Sequence, residues 1–264
     1  MEQKLDPLIN SHISYRTMNN IINPYVFDME PETISQKARI IADGGAVIDL
    51  QFMNTVIKTL KNQGIYGNAK MILDANIGVK KNGAGVIDKL YDISGNNNDA
   101  VQTVAGSKPT WSAPGGKGII RYDGGDYLVF TPIMASYVFS VCQIVSQNYT
   151  GYSSIYSNGG DLNNIRAQST ALRTILNGAN VNDFVYPAGN TRVNTVIGYD
   201  MPFGVTKLIT VANTTQKQIT WIGAGFPERN LNGYLNLSMV FDVVPSDSVR
   251  IAIESMINQY YSIY

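Results

Sequence analysis

Cysteine and histidine are nearly missing from this sequence of 264 residues, since Cys142 and His12 are the only residues of their kinds. One cysteine excludes an intrachain disulfide framework, and one cysteine with one histidine is a poor ligand set for zinc. A serine or cysteine nucleophile needs an imidazole beside it, and His12 lies far in sequence from the strands predicted below. We therefore predict neither a zinc site nor a nucleophilic triad, and we expect Cys142 to be a small core residue.

Charge is also scarce, at 15% of residues with a formal net charge of zero, and the chain contains no run of lysine or arginine. The electrostatic footprint of a nucleic-acid binder is therefore missing, and a neutral surface gives little steering toward an anionic membrane. The sequence has no run of 18 apolar residues and no apolar segment of a secretory signal near its start. We expect no nucleic-acid or membrane partner and assembly in a reducing cytosol.

Glycine and tyrosine are abundant, with 24 and 16 residues, and short alternating segments follow one another after residue 66. In "SYVFSVCQIVS" the side chains of Tyr137, Phe139 and Val141 alternate with those of Val138, Ser140 and Cys142, which is the period of a strand. Asn-Gly, Gly-Gly and proline punctuate the segments, as is typical of hairpins. Ten or so strands without intervening helices predict a mainly β fold, an antiparallel β-sandwich.

Helical patterns flank the strands. After a polar arm over residues 1 to about 30, "TISQKARII" places Ile34, Ala38 and Ile41 on one helical face, and Asp43-Gly44-Gly45 ends it. A second helix is predicted from Val47 to Lys61, with an apolar stripe that must pack on the main domain or on a neighbouring subunit. The members of that stripe are Val47, Leu50, Met53, Ile57 and Leu60. A closing helix after Ser246 is predicted to pack its apolar face on the sandwich.

These patterns divide the chain into two parts. Residues 1–66 form an arm and a helical segment for anchoring or oligomerisation, and residues 67–264 form the sandwich. The stripe of the second helix motivates a homo-oligomer, most simply a trimer, because its apolar side chains must be buried somewhere.

The stretch "YDISGNNNDA" concentrates hard oxygen ligands, and two interpretations of it stay open. Asp92, Asn96, Asn98 and Asp99 are candidate ligands for calcium, although no bidentate glutamate follows them. Alternatively, Asp92 and Ser94 cap a tight turn through hydrogen bonds to the backbone, with Gly95 or an asparagine at positive φ. No other cofactor is indicated.

A sugar site would use aromatic side chains in loops beside polar ones. "SQNYTGYSSIYSNGGDLNN" provides Tyr149, Tyr152 and Asp161, the candidate ligand-binding residues for a glycan. Exposed tyrosines are also common in protein interfaces, and strand tyrosines are often half-buried packing. The three alternatives stay open.

The sequence also carries a resemblance to a known family. "LYDISGNNNDA", "KPTW" and "GIIRYDGGDYLVF" resemble the opening of concanavalin A-like (laminin-G-like) jelly-roll domains, and the end from "IGAGFPERN" to the closing helix is similar too. The resemblance covers about residues 69–264 and favours the turn interpretation of the Asp92–Asp99 stretch. Glycoside hydrolases of that family carry Glu-x-Asp-x-Glu along one strand, whereas here only Glu228 and Glu254 are glutamates within 69–264. A catalytic carboxylate pair is therefore not expected.

The segment "ARIIADGGAVID" and the helix after it resemble the leader of structural proteins of tailed-bacteriophage virions. This resemblance implies a non-enzymatic virion protein, a head or tail fibre or capsid decoration, which assembles in the host cytoplasm with other virion proteins. Its first part would attach to the particle, and its sandwich would adhere to glycans or to the host surface. A stand-alone carbohydrate-binding lectin domain is the alternative, and a polysaccharide depolymerase is a weaker one.

Overall fold

A computed structural model describes most of the chain and confirms the predicted antiparallel β-sandwich. Strands make up 40% of the structure, which is a nearly closed, barrel-like sandwich with three helices, one of them at the C-terminus. The described residues are 28–146, 152–158, 165–168, 174–175, 191–197, 202–225 and 230–264.

The helices are α1 (Pro31–Ala42), α2 (Leu50–Asn62) and α3 (Asp247–Tyr261). The strands of the first half are β1 (Ala69–Asp74), β2 (Val79–Lys81), β3 (Ile87–Leu90), β4 (Ala100–Val101), β5 (Thr110–Ser112), β6 (Ile119–Asp123) and β7 (Leu128–Ile144). Those of the second half are β8 (Tyr152–Ser157), β9 (Ile165–Gln168), β10 (Thr174–Ile175), β11 (Thr191–Val193), β12 (Val196–Ile197), β13 (Lys207–Ile222) and β14 (Asn232–Phe241).

Two long strands, β7 and β13, connect the two layers of the sandwich. The C-terminal part of β7 pairs with β14, which pairs in turn with β1. The N-terminal part of β13 pairs with this C-terminal part of β7 and with β11. We call this sheet the helix-side layer. The other halves of β7 and β13 pair with each other, with β4 and with β8, and form the open layer. Each described ladder is antiparallel, and register shifts in β13 mark the bend between layers.

The helix-side layer is buried on both faces. Val138, Ser140 and Cys142 of β7 point into the sandwich, where Val138 and Cys142 join the core between the layers. Phe139 and Val141 point the other way into a second core beneath the helices. The predicted alternation is therefore confirmed, and both of its faces are apolar because both are covered.

Helix α2 is fixed at its start by Asp49, whose Oδ1 accepts a hydrogen bond of 2.8 Å from the backbone N–H of Phe52. The helix therefore begins at Leu50 rather than at the predicted Val47. Residue Ala46 just before it is engaged in a β-bridge with Val79, which keeps the backbone around Val47 extended. Among the described residues, none of the helices is long and apolar enough to span a membrane.

Helix α3 closes the chain as predicted. Ser246 caps it by accepting a hydrogen bond from the N–H of Val249, and Ile253 and Ile257 are fully buried in the core beneath the helices. Arg250 and Glu254 form a salt bridge of 2.5 Å on its inner side. The three helices, from before and after the strands in the sequence, therefore cover the same sheet face, and α1 and α2 share a core with the sandwich.

Candidate functional site

The outward surface of the open layer carries a pair of stacked aromatic rings. The rings of Tyr127 and Trp221 lie with their centroids 5.1 Å apart and their planes 22° from parallel, and both side chains are partly buried. We call this the aromatic pair. In a stacked pair each ring covers part of one face of the other, and the tyrosine hydroxyl and the indole N–H add polar atoms to an otherwise apolar surface.

Both rings stand on well-held backbone. The backbone N–H of Tyr127 donates a hydrogen bond of 3.1 Å to the carbonyl of Ser107. The carbonyl of Tyr127 accepts one of 3.0 Å from Nε2 of Gln102. Trp221 lies in β13 between two partners, opposite Val129 of β7 on one side and Ser157 of β8 on the other. Trp221 is therefore part of the sheet, and Tyr127 lies directly before β7.

The exposed, described side chains along β7 and β13 in this layer are neutral, namely Thr131, Pro132, Met134, Gln216 and Gln218. The carboxylate of Asp126, next to Tyr127 in sequence, is turned inward. Its Oδ2 accepts a hydrogen bond of 3.1 Å from the N–H of Asp123, and burial raises its pKa to about 6. That carboxylate holds the hairpin rather than facing solvent.

A buried acid with a strongly raised pKa lies on the helix side. Asp74 is 1% exposed at the end of β1, and burial raises its pKa to about 7. Its Oδ1 accepts hydrogen bonds from the backbone N–H and the side-chain amide of Asn76, at 2.6 and 3.1 Å, and its Oδ2 accepts one from the hydroxyl of Tyr261. Perturbed carboxyl groups often mark catalytic sites. Here the donors belong to the chain's own loop and to α3, so this carboxyl links the end of α3 to the sheet.

A cleft of about 300 Å³ lies nearby, between α2 and α3. Asp49 lines this cleft. Its Oδ1 accepts the hydrogen bond from the N–H of Phe52, and its Oδ2 accepts one of 3.1 Å from the hydroxyl of Tyr260. The rings of Phe52 and Tyr260 stack at 3.5 Å and close the cleft toward the core. Its acidic group is therefore already engaged in capping α2 and holding α3.

The candidate calcium residues are brought together in one hydrogen-bonded corner. Asp92 is fully buried, and its Oδ1 accepts from the N–H groups of Ile72 and Ser94 at 2.8 and 2.9 Å. Its Oδ2 accepts from the Ser94 hydroxyl and the Asn98 N–H, at 2.8 and 2.9 Å. Burial raises the pKa of Asp92, and these four donors act in the opposite direction.

The remaining corner residues tie this segment to its neighbours. The side-chain amide of Asn96 donates a hydrogen bond of 2.7 Å to the backbone carbonyl of Ala69 in β1. That of Asn98 donates one of the same length to the carbonyl of Lys70, the next residue of β1. Asp99 holds the guanidinium of Arg39 from α1 with two hydrogen bonds of 3.0 and 2.9 Å. Gly95 and Asn97 have positive φ angles of 92° and 58°. The corner is thus a turn whose polar side chains bind the backbone of β1 and a helix; among the described residues no group of three or more His, Cys, Asp or Glu is placed to hold a metal.

Of the predicted glycan residues, Tyr149 and Asp161 lie outside the described residues. Tyr152 is the first residue of β8, and only its backbone is described. The structure therefore leaves this set untested.

The predicted anchor stripe is covered by its own chain. Met53, Ile57 and Leu60 are fully buried against the helix-side layer and α3, and Val47 and Leu50 pack half-buried beside them. Of the two partners left open for this stripe, the main domain is the one found here. Its burial removes the reason for assigning these side chains to a contact between subunits.

The aromatic pair was not predicted from the sequence. Tyr127 stands in "GGDYLVF" and Trp221 in "QITWIG", each beside a buried residue in an alternating strand. Alternation indicates that both side chains point outward, but only the register of β13 on β7 brings the two positions together.

Against known proteins, no family model matches the chain, and a search of curated proteins returns no match.

Proposed function

We propose that this chain is a non-enzymatic surface protein of a bacteriophage virion, a head or tail fibre or a capsid decoration. Its helices would face the particle or sister subunits, and its sandwich would adhere to glycans or to the host surface. The observation that carries this proposal is the difference between the two sides of the sandwich. The three helices cover one sheet, whereas the open layer presents a partly exposed aromatic pair.

The resemblance of the Tyr91–Asp99 corner to concanavalin A-like jelly rolls supports the same proposal, as does the resemblance of "ARIIADGGAVID" to phage virion leaders. The turn of that leader, Asp43-Gly44-Gly45, directly follows α1, and Gly44 has a φ of 77° that favours glycine. In a virion, such a leader precedes a displayed sandwich.

The environment of the buried acids supports a non-enzymatic role. Asp74 and Asp92 are the two buried carboxyl groups in and beside β1, and each accepts hydrogen bonds from its own chain. Neither is open to a substrate, since they are 1% and 0% exposed. Adhesion needs only a surface, and the open layer supplies one.

An exposed stripe on α1 supports the proposed homo-oligomer, a trimer. Ile34 and Ile41 are 52% and 55% exposed, with exposed Ala38 between them, so sister copies would bury these side chains against each other. Light scattering of the purified protein tests this part. A clean monomer at micromolar concentration would remove the oligomer from the proposal.

The decisive experiment has two arms. Gold-labelled antibodies raised against the purified protein should decorate virions of the phage that encodes it, and fluorescently labelled protein should adsorb to host cells. Neither arm should be accompanied by release of reducing ends from capsular polysaccharide. Release that disappears when one aspartate is changed would establish a depolymerase instead. Glycan binding by a protein that is missing from particles would favour the stand-alone lectin.

A further inference from the structure

We propose that the chain modifies itself at Asn82, where the backbone nitrogen of Gly83 attacks the side-chain amide and releases ammonia. The two residues lie at the tip of the hairpin that joins β2 to β3, and both are exposed. The proposal does not depend on the function proposed above.

The side-chain carbonyl of Asn82 is held by two donors. Its Oδ1 accepts hydrogen bonds of 3.0 Å from the backbone N–H groups of Ala84 and Val86. The backbone of Asn82 is fixed as well, since its N–H donates 3.0 Å to the carbonyl of Val86 and its carbonyl accepts 3.0 Å from the N–H of Gly85. Negative charge develops on Oδ1 when a nucleophile adds to the amide carbon, so two preorganised N–H donors favour that addition.

The nucleophile is the next residue in the chain, and it is unhindered. A Cβ built on Gly83 would meet nothing within 4 Å, so water and hydroxide reach its N–H. Among the described residues, none accepts a hydrogen bond from that N–H. The reacting nitrogen and carbon belong to neighbouring residues, so their encounter costs little entropy.

The step balances with water alone. Hydroxide removes the proton of the Gly83 N–H, the bond from this nitrogen to Cγ of Asn82 forms, and the Cγ–Nδ2 bond breaks. Nδ2 takes a proton from water and leaves as ammonia, which restores the hydroxide. The product is a cyclic imide, a succinimide, and water opens it to aspartate or isoaspartate.

A second Asn-Gly pair, Asn232–Gly233, provides an internal control. Gly233 lies in β14 and pairs with both β6 and β7, and a Cβ built on it would lie 2.1 Å from the carbonyl oxygen of Gln143. The side-chain amide of Asn232 donates 2.8 Å to the hydroxyl of Ser146. Because strands hold this backbone on both sides, the nitrogen of Gly233 is not free to approach the amide of Asn232.

The full chain is incubated in mildly alkaline buffer, folded and in urea, and then digested with trypsin at mildly acidic pH, which stops the conversion. Mass spectrometry follows each of the four Asn-Gly pairs in its own peptide, and the peptide from Asn82 to Lys89 reports the proposed site. A methyltransferase specific for isoaspartate identifies that product. Isoelectric focusing separates the converted chain, because the formal net charge starts at zero.

We expect Asn82 to convert in the folded chain at a rate within about tenfold of its rate in urea, and Asn232 to convert in urea only. Gly83→Ala should slow conversion of residue 82 by about tenfold or more, because the new methyl group hinders the nitrogen. Circular dichroism should show this variant folded, since the methyl group enters open space. Gly106→Ala, also at an exposed glycine with open space around it, is the matched control and should leave the rate unchanged.

Three outcomes would overturn the proposal. The first is that folding slows conversion of Asn82 by more than about tenfold, which would show that its side-chain bonds protect the amide. The second is equal conversion of Asn82 and Asn232 in the folded chain. The third is an unchanged rate at residue 82 in folded Gly83→Ala, which would exclude the nitrogen of residue 83 as the nucleophile.

Discussion

Helices α1 and α2 carry similar apolar stripes, yet the protein uses them in opposite ways. In α2, Ile57 and Leu60 are fully buried in the core between the helices and the helix-side layer. In α1, by contrast, Ile34 and Ile41 are 52% and 55% exposed. The buried side of α1 holds Thr33, Gln36 and Ile40 instead. The comparison teaches that an amphipathic pattern predicts a helix but does not reveal which of its faces meets the core.

The two helices are accordingly held by different forces. Helix α2 gains its stability from apolar burial, which is worth roughly 25 cal/mol per Å². Helix α1 is held largely by polar contacts. Arg39 bonds Asp99 twice and the carbonyl of Asp92 at 2.6 Å, and the hydroxyl of Thr33 donates 2.9 Å to the Asn54 side chain on α2.

The sharpest way to break the comparison is to truncate the same residue type in each helix. Ile57→Ala should lower the free energy of unfolding by about 2–5 kcal/mol, because it leaves a cavity in a fully buried site. Urea denaturation followed by circular dichroism measures the change. If the loss of unfolding free energy is no larger than that of a typical surface substitution, α2 does not pack on the sheet as described.

A substitution at Asp74 tests the contact between the end of α3 and the helix-side layer. Its pKa is raised to about 7, so its stabilising contribution is present below about pH 4 and is lost as pH rises through about 7. Asp74→Asn keeps the shape and removes the charge. The wild type should lose stability relative to this variant between pH 4 and pH 8, by on the order of 1–4 kcal/mol.

Urea titrations of both proteins at several pH values measure that difference. Taking the difference cancels the other titrating groups, Asp126 among them. Parallel curves for the two proteins across this range would show that the carboxyl at residue 74 is not buried in the folded chain.

The polar attachment of α1 is tested by Asp99→Asn, which weakens the two-bond contact with Arg39. The side chains of this pair are only 28% and 15% exposed, so we expect a loss of about 1–3 kcal/mol. Asp28→Asn is the matched control, since the Asp28–Lys58 pair is largely exposed and should matter little. Equal effects of the two substitutions would contradict the assigned role of Arg39.

The smallest expected effect is that of Ile41→Ala, the counterpart of Ile57→Ala. An isoleucine that is 55% exposed should change the unfolding free energy by no more than about 0.5 kcal/mol in the monomer. Denaturation at low protein concentration measures it. A large loss that appears only at high concentration would instead place Ile41 in a contact between copies.

The strands were the most predictable part of this protein. Alternation in "SYVFSVCQIVS" correctly predicted the C-terminal half of β7, whose side chains are apolar on both faces because the strand lies between two cores. It did not show that the strand already begins at Leu128. The start of α2 was not predictable to the residue, since the bridge of Ala46 to Val79 joins parts distant in sequence. The aromatic pair was missed for the same reason, as Tyr127 and Trp221 lie far apart in the sequence.

Sequence alone determined the local conformations: the strand period, the Ser246 cap, and the corner with glycine and asparagine at positive φ. These features depend on side chains within a few residues of each other, so the chain encodes them directly. Only the tertiary structure decided which helical stripe is buried, which acids are enclosed and which rings meet on the open layer. Those outcomes depend on strand register and on competition for one sheet face, where α2 and α3 supply more apolar surface than α1.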